Sequence, residues 1–474
     1  MEDRASIWRF IPHILLPLLL LVLLDVAPLP HSVHSGLTEG YRAKAGGQVS
    51  LAVIHLRRVV EQQPWRSELW EQIGRMEWEL ENKEQALLDL ARARQVGSLS
   101  REGKILLAEG LEESGEEEAA LRLWEDLAQA GEANERVYRH LTFLYRQLGR
   151  MDQSLKAAQS WQGLAPQDPE AAFQLGLLLS FSDLEQAQAQ MAKAAAIDPS
   201  FAPAHEGLNR AAGLILLSDD PAYRSTLVGR ELAGLGAWDL AEQAFQQAVA
   251  ANPDYAEAWA FLGEAQEQLG MDGLEALRRA EQVNPNSVLA QALLTLYWSR
   301  AGAVDQALLH LQKAATIEPQ RAVWQIELGA LTAQKGDLLA AQAYYEAAAK
   351  LEPESTQVWL EQARFSLTYQ VDLSGYGLSA ARQAYRLAPE DAEVLDTMGA
   401  VFLGLDDLTT AERFLQQALT KDSELASVHL HLGQMYLIQA ESENAHESLL
   451  RAAALDAGGG TGLLAQRLLE LHFP

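Results

Sequence analysis

Apolar residues along most of this chain recur at helical spacing, and the helices they predict come in pairs. Between Pro253 and Ala280, Trp259, Leu262 and Gly263 share one helical face, Gly270 to Gly273 interrupt it, and Ala276, Leu277 and Ala280 mark a second face. Asn252-Pro253 opens this unit and Asn284-Pro285 closes it. Two short amphipathic helices of this kind cannot bury their apolar faces alone, so copies must stack on one another.

The same unit returns from residue 33 onward. Taken to begin three residues past its proline mark, it starts at 33, 67, 101, 135, 169, 222, 256, 288, 322, 356, 392 and 426, with most steps of 34 residues. Each copy carries a bulky residue at position 4, a large apolar one at 7, small ones at 8 and 20, and apolar ones at 24 and 27. In the second copy these are Trp70, Ile73, Gly74, Ala86, Leu90 and Ala93; in the last they are His429, Leu432, Gly433, Ala445, Leu449 and Ala452. Small residues at 8 and 20 let two helices cross closely, and the bulky ones fill the seams within and between pairs. Prolines such as Pro253, Pro285, Pro319 and Pro353 stand where one pair ends and the next begins, a place where a missing N–H costs nothing.

This spacing resembles the tetratricopeptide repeat family, whose signature places Trp, Leu-Gly, Tyr, then Ala, Phe, Ala and Pro at these offsets. AWAFLG (258–263), GAWDLAEQAFQQAVAANP (236–253) and GDLLAAQAYYEAAAKLEP (336–353) match it closely. The resemblance covers about nine tenths of the chain. It implies an all-α fold, a right-handed superhelical solenoid of stacked antiparallel helix hairpins. The expected organisation is a signal peptide or transmembrane anchor over 1–31, five repeats over 33–201, an inserted helical segment over 202–221, seven repeats over 222–459, and a capping helix over 460–474. The insertion reads as a joint in the array. In the capping helix Leu463, Leu464, Leu468 and Leu471 are expected to face inward, and the long turn TYQVDLSGYG (368–377) is expected to project Tyr369 and Tyr376.

The chain start differs in kind. Phe10 to Leu24 is an uncharged run of 15 residues, about 22 Å as a helix against a hydrocarbon thickness of roughly 30 Å. Two readings fit it. One is a single-pass membrane anchor with the repeats outside the cytoplasm. The other is a secretory signal, with Val33 and Ser35 preceding a cut at Gly36, which leaves a secreted or periplasmic protein.

Composition narrows the chemistry. Lys and Arg total 37 against 65 Asp and Glu, a formal charge of −28, which disfavours nucleic acid and suits basic partners. Without any cysteine, disulfides, thiol catalysis and thiolate metal sites are excluded. GSLSREGKI (97–105) has one residue too many between its glycines for a phosphate loop, and Ile105 where a hydroxyl belongs. His429 and His431 stand two apart and do not share a helix face. No catalytic constellation, metal site or cofactor site is predicted, so the chain is read as a non-enzyme.

The resemblance implies that the first helix of each hairpin lines a concave face through positions 2, 5, 9 and 12. Carried onto this sequence, those positions place Arg136, Arg139, Phe143 and Arg146 in the fourth repeat, with Arg75 and Trp78 from the second. Tyr223 and Arg230 begin the array after the insertion, and Glu257, Glu264 and Glu267 follow in the seventh repeat. The eighth to tenth repeats contribute Leu289, Leu296, Val323, Ile326, Leu360, Arg364 and Leu367. A basic-aromatic patch is thus expected in the first half and an apolar groove in the second. The first suits an acidic peptide or anionic glycan; the second suits an apolar peptide. The leading expectation is an interaction scaffold at a membrane that holds segments of partner proteins. The alternatives are a polysaccharide- or peptidoglycan-binding protein, and a regulatory subunit of a membrane-bound transferase.

Overall fold

The computed structural model describes residues 30–473, and its regular elements are all helical. Backbone proximity divides the chain into two units, Met1–Ala212 and Gly213–Pro474. In the first unit consecutive helices pair as hairpin 1 (His31–Ala45 with Val49–Gln62), hairpin 2 (Ser67–Glu79 with Lys83–Val96), hairpin 3 (Arg101–Glu113 with Glu117–Gln129), hairpin 4 (Glu135–Gln147 with Met151–Leu164) and hairpin 5 (Pro169–Leu179 with Leu184–Ile197). A further helix, Ala202–Ile215, occupies the insertion, and the unit boundary falls within it.

The second unit holds hairpin 6 (Pro221–Gly234 with Trp238–Ala251), hairpin 7 (Ala256–Gln268 with Leu274–Val283), hairpin 8 (Val288–Arg300 with Val304–Ile317) and hairpin 9 (Ala322–Gln334 with Leu338–Leu351). Hairpin 10 (Thr356–Tyr369 with Leu378–Leu387), hairpin 11 (Ala392–Gly404 with Leu408–Lys421), hairpin 12 (Ala426–Ile438 with Ser442–Leu455) and a last helix, Gly460–His472, complete it. Within each unit the second helix of most hairpins packs on the first helix of the next. The chain is therefore an all-α solenoid of stacked antiparallel hairpins.

Local chemistry explains the repeat. First helices commonly end on a glycine in the left-handed region, among them Gly115, Gly149, Gly236, Gly270, Gly302 and Gly336, a conformation that costs glycine little and caps the free carbonyls. The bulky residue at position 4 reaches back to a carbonyl six residues earlier. Trp70 Nε1 donates to Pro64 O at 3.0 Å, Trp259 to Pro253 O at 2.8 Å, Trp359 to Pro353 O at 2.8 Å and His429 Nε2 to Ser423 O at 2.9 Å. Position 4 thus satisfies the carbonyl of the inter-hairpin turn while its ring fills the seam. Hairpin 7, with its short turn, brings Gly263 so close to Gly273 that a Cβ on Gly273 would collide with the Gly263 carbonyl.

Expectations for the chain start, the last helix and the long turn are corrected. The longest described helix, His31–Ala45, has 15 residues, and among the described residues no helix is long and apolar enough to cross a membrane. The single-pass membrane topology is overturned on that finding; the apolar run on which it rested lies in residues 1–29, outside the described residues. The secretory reading rested on the same run; among the described residues Val33 and Gly36 lie in the packed first helix of hairpin 1.

In the last helix the inward face is not the leucine row. Leu463, Leu464 and Leu471 are exposed, while buried Ala465 and half-buried Leu468, Leu469 and Phe473 pack toward Leu430, Leu449 and Ala452. Small residues bring that helix close, which rotates the bulky leucines outward. Tyr376 does not project either. Asp372, itself at φ +35°, accepts from the amides of Gly375 and Tyr376, and the Tyr376 ring turns edge-on against Phe365 at 6.4 Å. Tyr369 remains 37% exposed.

Candidate functional site

The first-helix surface is organised by one recurring contact. Position 9 of a hairpin meets position 2 of the next. Glu109 of hairpin 3 pairs with Arg136 of hairpin 4, and Arg364 of hairpin 10 reaches Glu393 of hairpin 11 at 2.8 Å. Arg75 with Glu102 and Arg230 with Glu257 place opposite charges at the same two positions. Arg230 also lies over the Phe261 ring of hairpin 7, 5.5 Å from its centroid. Arg136, Arg230 and Arg364 therefore act between hairpins, and within the expected basic patch the charge of Arg136 is met by its own stack.

Hairpin 4 shows how far this goes. His140 stacks flat on buried Trp124, with ring centroids 4.3 Å apart, and its Nδ1 lies 3.0 Å from Glu112 Oε2. Trp124 Nε1 donates to the other oxygen of Glu112. Arg146 donates to Gln174 Oε1 at 3.0 Å. Arg139 differs: it is exposed and makes no ion pair among the described residues. It lines an open cleft of about 430 Å³ with Glu109, Glu135, Arg136, His140, Trp161 and Asp168. Phe143, 37% exposed, tilts against Trp161 at 6.1 Å beside it.

The remaining candidates fall into different settings. Arg75 is exposed, whereas Trp78 is half-buried with Lys83 Nζ over its ring at 5.3 Å. Tyr223 is half-buried at the start of hairpin 6. Leu296 and Val323 are 39% and 38% exposed. Ile326 is half-buried, packed toward Ala348 and Val358 on one side and Tyr345 on the other. Leu360 does not line a groove: it is 3% exposed and packs with Ala384 and Val394 in the core, because position 5 of hairpin 10 turns into the seam with hairpin 11. Arg364 bridges Glu361 at 3.0 Å and Glu393 at 2.8 Å.

Sequence reasoning missed Glu327, at position 6 of hairpin 9. Its side chain is surface-exposed, yet partial loss of surrounding water and, after it, the charge of Glu361 on the next first helix hold its carboxyl above the usual range. It also missed the junction of hairpins 11 and 12, where His431 Nδ1 meets buried Asp396 at 2.7 Å. The available signal was charged or ionisable residues recurring about one repeat apart: Glu327 and Glu361 stand 34 residues apart, and Asp396 and His431 stand 35 apart. Among the described residues no group of three or more His, Asp or Glu is arranged to hold a metal ion, and no catalytic cysteine exists.

Pairing geometry and turn chemistry define the class as a tetratricopeptide-like helical solenoid. A family-model comparison agrees with that class over part of the chain. The Tetratricopeptide repeat family model matches residues 228–270. The BBSome complex member BBS4 of Bos taurus is 24% identical over 185 residues, 39% of this chain and 35% of that protein. The chain thus spans about a third of the length of this curated relative. Among solved structures, yeast Tom70 aligns at TM-score 0.42 and 14% identity, covering 93% of this chain and 95% of that one. A tetratricopeptide repeat protein from Parabacteroides merdae aligns at TM-score 0.46 and 15% identity, covering 54% and 99%.

Proposed function

We propose that this chain is a non-enzymatic scaffold that holds peptide segments of partner proteins on the first-helix faces of its hairpins. One observation carries the reading at hairpin 4: Arg139 stands without an ion pair in an open cleft, beside the exposed ring of Phe143. A guanidinium next to an aromatic face offers a carboxylate or backbone carbonyl both charge and stacking. Its neighbours Arg136 and His140 are tied to Glu109 and Glu112, so Arg139 is the group left for a ligand. The bovine relative is described as a member of a complex, which is in keeping with such a role.

Glycan binding is the weaker reading. Sugar rings stack on open aromatic faces, whereas Lys83 lies over Trp78 and Tyr223 is half-buried. The test is a pull-down with the full chain and its Arg139→Glu variant, read by quantitative mass spectrometry. At least one protein partner should fall by about ten-fold on the variant. Identical recoveries from both baits would remove hairpin 4 from the site. Retention of glycan without protein would overturn the scaffold.

A further inference from the structure

Where hairpins 3 and 4 close their first-helix junction with Glu109 and Arg136, hairpins 8 and 9 place Leu296 and Val323 at the same two positions. Both side chains are more than a third exposed, and the first helices of hairpins 8 and 9 do not pack closely on each other as those of hairpins 7 and 8 do. Val323, Glu327 and Ala330 follow at i, i+4 and i+7, so they share one face of Ala322–Gln334, and all three are exposed. The result is an apolar strip interrupted by a carboxylate.

That carboxylate has no cation. Glu327 makes no ion pair among the described residues, and the charge it feels most is another carboxylate, Glu361. The nearby cations are already committed: Arg300 to Glu264 at 3.2 Å, Arg321 to Glu318 at 3.1 Å, and Arg364 to Glu361 and Glu393. An added positive charge would relieve the Glu327–Glu361 repulsion, and an added apolar side chain would cover Leu296 and Val323. An anionic occupant would meet repulsion at both carboxylates, within a chain whose formal charge is −28.

We propose that the junction of hairpins 8 and 9 binds a cationic amphipathic segment of a partner protein. Its apolar side chains seat on Leu296 and Val323, and a Lys or Arg settles at Glu327 and Glu361. This rests on the scaffold reading and names the partner chemistry for a surface separate from Arg139.

The experiment is fluorescence anisotropy of the full chain with short labelled synthetic peptides. The probe is a Leu/Lys amphipathic peptide; its controls replace every Leu by Ser or every Lys by Glu. The Leu/Lys peptide should bind at least about ten-fold more tightly than either control. Leu296→Ser should weaken it by about ten-fold, Glu327→Gln by about three-fold, and Arg139→Glu should leave it unchanged. Both target residues are exposed, so the variants should keep the wild-type helical circular dichroism. No binding, equal binding of the Ser/Lys control, or indifference to both variants would overturn the proposal. A partner lost on Arg139→Glu in the pull-down, with no Leu/Lys binding here, would sink this inference and leave the scaffold standing.

Discussion

At the junction of hairpins 3 and 4 an ion pair, Glu109 with Arg136, joins neighbouring first helices; at the junction of hairpins 8 and 9 the same positions hold Leu296 and Val323, unpaired and exposed. The first junction continues into a closed polar network through Glu112, His140 and Trp124. The second continues only to Glu327, which feels the repulsion of Glu361. One repeat geometry therefore serves two ends. Opposite charges at positions 9 and 2 hold hairpins together and cancel as ligands; apolar residues there do little for cohesion and leave a surface to be covered. An arginine count on such a face overstates how much charge a partner can reach.

The largest effect should come from removing a charge where the first unit has buried its counterpart. Arg57 grips Asp89 through two bonds, at 3.1 and 2.6 Å, and reaches Glu77 at 2.9 Å. Asp89 is fully buried and Glu77 nearly so. Arg57→Met should cost about 3–5 kcal/mol in denaturant unfolding, since it strands buried carboxylates. Adding Asp89→Leu and Glu77→Gln should restore most of the loss. A cost under about 1 kcal/mol for the single change would show that this charge is not cohesive.

Smaller changes separate the two junctions directly. Arg136 is about half exposed, so Arg136→Glu should lower unfolding stability by no more than about 1 kcal/mol and leave Leu/Lys peptide affinity unchanged. Leu296→Ser should shift stability by less than about 0.5 kcal/mol while removing most of that affinity. Parallel melts and anisotropy titrations would expose the reverse outcome, in which Leu296→Ser melts the stack and spares binding.

The hairpins were legible because their signals are local: a small residue at position 8, a glycine after the first helix, a proline before the next. Which side chains on their first helices are free was not, because that depends on partners about 27 residues away. Arg136 and Arg230 looked like ligands until Glu109 and the Phe261 ring were placed beside them. Leu360 looked exposed by analogy with position 5, yet Ala384 and Val394 leave room for it to turn inward. The last helix failed for a related reason: Gly462 and Ala465 set its packing face, and small residues carry a weaker pattern than the leucines they displace.

The finest discrimination is between two histidines of the second unit, one held by a charge between hairpins and one sealed within hairpin 8. Burial alone would lower the pKa of His431, but Asp396 at 2.7 Å outweighs it and Arg364 opposes only weakly, so the imidazole stays above its ordinary 6.5. Its stabilising contribution is then complete below pH 6.5 and lost as pH rises through the elevated folded value. His310 is the reverse. Burial lowers its pKa from 6.5, Glu281 offsets this only in part, and Gln291 Oε1 accepts from the ring at 2.8 Å. Its contribution is present above pH 6.5 and lost as pH falls toward the depressed folded value. Thermal melts of the full chain across this range should therefore show two limbs of opposite slope. Asp396→Asn should flatten the alkaline limb alone, and His310→Gln the acid limb alone. If Asp396→Asn changed both limbs equally, the His431 pair would be packing rather than charge, and the contrast drawn between charged and apolar junctions would not extend to hairpins 11 and 12.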